Sequence, residues 1–213
     1  MTMTLYFSPG TCSTASRIGL AESGAVYEEK PTILAKGEHK TEAYLRINPR
    51  AKVPALEVDG HVITENTAIL TYVGRRFREK NLLPTDPLQE AHCIGAMAWF
   101  SNAVHPPFSM INRPQRFTDD EVAQKALSES ARKVFWTKLQ EIDGLLGPKT
   151  WMLGDQYTVA DPYALVFYGW GMRYEFPVGD LKHYTTWKKR MLDRPAVRKV
   201  LESEQQLRPT LRW

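Results

Sequence analysis

Every stretch of this 213-residue sequence that alternates like a β-strand lies before Asn81, and none lies after it. The two regimes meet at Asn81 to Pro87, where Leu82-Leu83-Pro84-Thr85-Asp86-Pro87 breaks the chain with two prolines. Ahead of the break, Leu5-Tyr6-Phe7 predicts a strand stopped by the turn residues Ser8-Pro9-Gly10. From Cys12 to Glu22, Ala15, Ile18, Leu20 and Ala21 fall at helical spacing, and Gly24 closes the helix. Val26 to Lys30 alternates as a second strand, and Thr41 to Ile47 is a short helix stopped by Asn48-Pro49. Val53 to Val58 and His61 to Thr64 are strands about an Asp59-Gly60 turn, and Glu65 to Phe77 returns to helical spacing. Beyond the break, Leu88 to Ile111, Asp119 to Leu146, Ala160 to Arg173, Leu181 to Leu192 and Ala196 to Leu207 all read as helices. The pattern predicts an α/β domain over residues 1–80 and an all-α domain over residues 87–213.

Composition removes several classes. Hydrophobic residues at 43% and charged residues at 24% exclude a disordered chain. No run of 18 apolar residues is present to cross a membrane. Met1-Thr2-Met3-Thr4-Leu5 offers neither a basic region nor a long apolar stretch, so a cytoplasmic protein without a secretory signal is expected. The net charge of +4 is small, and its densest clusters, Arg75-Arg76-Phe77-Arg78 and Lys188-Lys189-Arg190, read as solvated helix faces. A nucleic-acid partner is therefore not expected, whereas a small anionic ligand suits the balance. Cys12 and Cys93 are far apart, with no C-x-x-C and no Cys/His cluster at zinc spacing. Neither a disulfide, a metal nor a prosthetic group is expected.

Three short motifs carry chemistry. Cys12 opens a helix just after a Pro-Gly turn, where free N–H groups and the positive dipole end favour thiolate over thiol. The same residue can equally be a small buried apolar side chain. Cys93, among Ala91, Ile94 and Ala96, reads as core. Val53-Pro54 opens a strand at a position that need not donate to the ladder, and a cis bond there would turn the Val53 backbone toward an extended ligand. Glu65-Asn66 joins a strand to a helix. Its N–H groups can hold a carboxylate while Glu65 pairs with an amine, which suits an amino-acid head group; an ordinary helix cap has the same residues.

In this order, and ahead of a helical domain, these elements resemble the cytosolic glutathione S-transferase superfamily over essentially the whole chain. The resemblance implies a thioredoxin-like domain followed by a helical bundle. Ser8-Pro9-Gly10-Thr11-Cys12-Ser13 looks like the bacterial beta class, and Thr158-Val159-Ala160-Asp161 resembles the family's capping box, with Thr158 capping the helix and Asp161 reaching back to its N–H. By resemblance, Val53 and Pro54 match the cis-proline site, Glu65 and Asn66 the γ-glutamyl site, and Lys36 (or Lys40) a contact to the glycyl carboxylate. His105 stands where the family places a histidine in the first long helix of the second domain, although two following prolines also make it a plain kink residue. Ala98, Pro106 and Asn66 depart from the residues common in that class.

The expected reaction is attack of glutathione thiolate on an electrophilic apolar molecule, with Cys12, Ser13 and His105 at the sulfur. Ser8 and Ser13 are further hydroxyl donors, and Tyr6 ranks low. Glutathione is then a co-substrate, and the family resemblance implies a homodimer. The electrophile pocket is expected between the domains, walled by Phe108, Phe117, Tyr163, Phe167 and Trp170; the last three fall at i, i+4 and i+7, on one helix face. Two alternatives stand beside this reading: thiol transfer or peroxide reduction through a Cys12 mixed disulfide, and a non-catalytic ligand- or partner-binding protein of the same fold.

Overall fold

The computed structural model describes residues 1–213. Its first half is built on a four-stranded mixed sheet of order β2-β1-β3-β4. The central strand β1 (Met3–Phe7) buries Met3, Leu5 and Phe7 on one face. It pairs in parallel with β2 (Glu28–Pro31) and antiparallel with β3 (Ala55–Val58), where Leu5 faces Leu56. β4 (His61–Thr64) completes the hairpin about Asp59-Gly60. Helices α1 (Ser13–Ser23) and α3 (Asn66–Arg76) pack against each other and bury Ile18, Leu20, Ile69 and Leu70. On the other face, Tyr44 of α2 (Glu42–Ile47) meets Tyr6 edge to face at 5.8 Å.

Two strands begin later than the alternation predicts. β2 starts at Glu28 because pairing with Thr4 of β1 sets its extent; Val26, counted in the expected strand, is 90% exposed. β3 starts at Ala55, since Pro54 has no N–H to give to a ladder.

The second half is helical: α4 (Pro87–Trp99), α5 (His105–Asn112), α6 (Glu121–Leu146), α7 (Ala160–Arg173), α8 (Lys182–Asp193) and α9 (Pro195–Leu207). No strand follows Thr64; Trp151 and Gly154 form one isolated bridge. The single helix expected over 88–111 is interrupted by a π-helical turn at Phe100–Val104. Pro106 and Pro107 have no N–H for the carbonyls of Asn102 and Ala103, so the α-helical ladder cannot run through this point and the backbone widens.

Helix α7 is the central post, buried continuously from Ala160 to Gly171. Its start carries the capping box. The Thr158 N–H donates to Asp161 Oδ2 at 2.8 Å, and Thr158 Oγ1 accepts from the Ala160 N–H at 3.4 Å. Asp161 Oδ1 also accepts from the Met152 N–H (2.9 Å) and the Trp187 indole (3.0 Å), tying α7 to the preceding loop and to α8. A single cluster of 44 buried hydrophobic residues runs through both halves. No helix is long and apolar enough to cross a membrane.

Candidate active site

A cleft of about 650 Å³ lies where the two halves meet. The first half lines it with the Ser8–Cys12 turn, the Lys52-Val53-Pro54 segment and Thr64-Glu65-Asn66. The second half contributes His105, Phe108 and Phe117 around α5, and Tyr163 and Trp170 of α7.

Cys12 precedes α1 with helical backbone angles (φ −59°, ψ −20°). Its sulfur donates to the Val53 carbonyl at 3.6 Å, and the Val53–Pro54 bond is cis. The helix start does not produce a thiolate here. Burial pushes the Cys12 thiol up to about 12, the charge of Glu65 acts in the same direction, and a contact with Asn66 opposes them only in part. Cys12 is thus a neutral thiol, and a hydrogen-bond donor, at neutral pH.

Ser13 is turned away from the cleft. Its fully buried hydroxyl accepts from the Ser8 N–H (3.0 Å), donates to the Ser8 carbonyl (3.1 Å) and lies 2.7 Å from Thr11 Oγ1. The expected sulfur ligand is a lock on the turn, and Thr11 is the hydroxyl-bearing residue beside Cys12 that lines the cleft. Ser8 Oγ likewise accepts from the Leu34 N–H at 3.2 Å, and Tyr6 donates to Glu57, off the cleft.

Glu65 is exposed at the cleft with φ 71° and ψ 128°, a backbone region costly to a non-glycine residue and often held at functional sites. Asn66 spends its side chain on the scaffold: Nδ2 donates to the Cys12 carbonyl (2.9 Å) and Oδ1 accepts from Ser16 Oγ (2.6 Å). What remains to face a ligand is its backbone N–H in the open first turn of α3. Lys36 is exposed and does not line the cleft. The amine that does is Lys52, and from the Lys36 loop it is buried His39 that reaches the wall, its Nδ1 without a partner. Lys52 adjoins Val53-Pro54 in the chain, which was the available signal for it.

His105 is the first residue of α5, presented by the π turn, with its ring 4.9 Å from that of Trp170. Burial, helped by the charges of Lys52 and Arg116, lowers its pKa to about 4, so the imidazole is neutral near pH 7. Phe108 stacks on Trp170 at 3.9 Å to form a flat wall, Tyr163 lies deeper, and Phe117 stands 50% exposed at the mouth. Phe167 is not a wall residue. It is fully buried among Phe100, Tyr163 and Trp170, so the helix face that carries all three aromatics serves the cleft at its two ends and the core at Phe167.

A buried network, not anticipated from the sequence, fixes the Cys12 turn from the other half. Glu204 of α9 accepts from the Gly10 N–H (2.9 Å) and from Thr14 Oγ1 (2.9 Å), and lies 3.3 Å from Arg17, which also pairs with Glu29 at 2.6 Å. The Gly10 carbonyl accepts from the Trp170 indole (3.1 Å) and from Arg173 (3.0 Å). Gly10 has φ +71°, and a Cβ there would collide with Leu211 Cδ2 and the Arg173 guanidinium, so the position requires glycine. No group of three or more His, Cys, Asp or Glu side chains is placed to hold a metal.

Comparison with known proteins gives the family and the fold. The family model described as glutathione S-transferase, N-terminal domain, matches residues 1–75, and that of the C-terminal domain matches residues 95–195. The chain is 28% identical over 205 residues to glutathione S-transferase GstA of Escherichia coli O157:H7, covering 95% of this chain and 98% of the relative. It is 34% identical over 171 residues to a maleylacetoacetate isomerase of Pseudomonas aeruginosa, covering 76% and 77% of the two chains. The crystal structure of a glutathione transferase homologue from Sulfitobacter, with bound glutathione, superposes with a TM-score of 0.90 at 27% identity, covering 95% of this chain and 98% of that one.

Proposed function

Because the chain belongs to the glutathione S-transferase family, we propose that it is a Cys-type transferase, similar to the bacterial beta class, that joins glutathione to apolar electrophiles. The observation that carries this reading is the cleft itself, which sets Cys12, Val53 and Glu65 opposite His105, Tyr163 and Trp170. In the proposed division of labour residues 1–80 hold glutathione and residues 87–213 supply the electrophile wall.

Glu65 pairs with the ammonium of glutathione, and the open first turn of α3 at Asn66 takes the γ-glutamyl carboxylate. The Val53 backbone pairs with the extended peptide, and Lys52, in place of Lys36, meets the glycyl carboxylate. The glutathione sulfur lies against two neutral donors, the Cys12 thiol and an N–H of His105. Preorganised donors favour the thiolate, whose proton leaves to solvent. The thiolate attacks the electrophilic carbon, a C–S bond forms, and the leaving group departs with its electron pair. Phe108, Phe117, Tyr163 and Trp170 hold the apolar body. A neutral Cys12 favours this conjugation over thiol transfer, which needs Cys12 itself as a thiolate. A homodimer in the cytoplasm belongs to the same reading; light scattering on the purified protein checks the assembly.

The test is initial-rate conjugation of glutathione with chlorodinitrobenzene. Cys12→Ala is expected to lower kcat about tenfold, as loss of a weak donor to a developing anion would. Unchanged conjugation with abolished disulfide reduction would instead make Cys12 the nucleophile of a thiol transferase.

A further inference from the structure

The electrophile side of the cleft carries more positive charge than an apolar substrate needs. Arg113 closes α5, and the 3-10 turn Pro114–Arg116 follows it, with the Arg116 N–H bonded to the Arg113 carbonyl at 3.1 Å. Arg113 stands just before the turn with an extended φ of −147° and Arg116 ends it; both line the cleft, close enough that the charge of Arg113 acts on Arg116. Neither makes a salt bridge, nor does either side chain donate a hydrogen bond. Elsewhere Arg17, Arg75 and Arg194 each have a carboxylate within 2.7 Å. The charge of Arg116 is felt at both His39 and His105, which places it between the two halves of the cleft. Glu65 is the only acidic residue in the lining, and the proposed function commits it to an ammonium group. Beside the arginines stands the flat wall of Phe108 on Trp170, with Tyr174 edge-on to Phe108 at 5.0 Å and Phe117 at the mouth.

Arg208 also lines the cleft without a carboxylate partner, but Arg113 and Arg116 are the pair that adjoins Phe108 and Phe117 in the chain, and two such guanidinium groups next to an aromatic wall describe a site for a planar apolar body bearing an anionic group. Guanidinium forks match a carboxylate in two parallel hydrogen bonds; Arg113 is half-buried and Arg116 is exposed at the cleft, free to reach a ligand. We propose that the second substrate is an anionic electrophile, an arene carboxylate or a molecule of like chemistry, whose carboxylate is held by Arg113 and Arg116 while its ring lies on Phe108 and Trp170. This rests on the glutathione transferase reading. For a chloroarene carboxylate the balance is that of ordinary conjugation. The glutathione thiol gives up its proton, the C–S bond forms at the chlorine-bearing carbon, chloride leaves, and the carboxylate is unchanged.

The experiment compares kcat/KM for chlorodinitrobenzoate and for uncharged chlorodinitrobenzene in the wild type and in the double variant R113Q/R116Q. Comparing the two proteins cancels the intrinsic reactivity of each arene. The benzoate-to-benzene ratio is expected to fall by a factor of about 10 to 100 in the variant, through KM for the benzoate, as for loss of charge-assisted hydrogen bonds. R113K/R116K should retain part of the ratio. In the wild type the same ratio should fall as salt is raised. An unchanged ratio, or a loss that instead appears as a raised KM for glutathione with both arenes, would overturn the assignment and give the arginines to glutathione or to the scaffold. Wild-type protein that binds glutathione in calorimetry but shows no salt-sensitive preference for the benzoate overturns the anionic substrate alone. Protein that binds no glutathione and turns over neither arene removes the transferase reading and this proposal with it.

Discussion

At Cys12 three influences compete, and the environment outweighs the helix. The start of α1 favours a thiolate, but burial and the charge of Glu65 favour the thiol, and the balance stands at about 12. Alkylation of the ligand-free protein by iodoacetamide should therefore stay slow at Cys12 through pH 8 and rise only at strongly alkaline pH. A rate already at half its plateau below pH 8 would contradict the account. His105 shows the same effect with the opposite sign. Its pKa falls from the ordinary 6.5 to about 4, so the unfolded chain takes up the proton first as pH drops. The neutral ring contributes stability that is complete above about pH 6.5 and lost as pH falls through 4, at most about 3 kcal/mol. The urea midpoint of the wild type should fall further between pH 7 and pH 4.5 than that of His105→Gln; equal falls would place the acid sensitivity elsewhere. Cys12 and Glu65 were legible because each sits at the junction of a turn or strand with a helix. The protonation of Cys12 was not, since it depends on burial and on Glu65 and Asn66, some fifty residues away in the chain.

The elements themselves were mostly legible, because periodicity reports which face is buried. The failures have local causes. Pro106 and Pro107 split the expected long helix, and the π turn they force presents His105 to the cleft. Ser13 and Phe167 were assigned to the site by proximity and by helical phase, and both turned inward. A neighbour in sequence or on a helix face need not share the same solvent. At the start of α7, the capping box also has an unequal division. Thr158 Oγ1 serves one N–H at 3.4 Å, whereas Asp161 serves three buried N–H donors. Thr158→Ala should cost about 0.5–2 kcal/mol by urea denaturation. Asp161→Ala, which strands those donors, should cost about 3 kcal/mol or more. Equal losses would show that the side chains share the cap evenly.

Across the whole molecule, the Cys12 turn is part of the first half by sequence but is held by the second. Glu204 grips the Gly10 N–H, and Trp170 and Arg173 grip its carbonyl. A lone glutamate in an amphipathic helix carries no sequence signal of such a role, because the contact spans nearly the entire chain. Replacing Glu204 with Gln leaves buried Arg17 with only Glu29 as counter-charge. Glu204→Gln should lose about 3 kcal/mol in folding stability and raise KM for glutathione. A stability loss without any change in KM would separate this network from the site. The two-part architecture, by contrast, was plain from the break at Asn81 to Pro87, where strand periodicity ends. The claim on which everything else depends is that the cleft between the halves takes glutathione. Calorimetric titration of reduced glutathione into the reduced protein tests it most directly. Saturable binding of one molecule per chain, weakened in Glu65→Ala, is the predicted result; no binding heat at millimolar glutathione would contradict it.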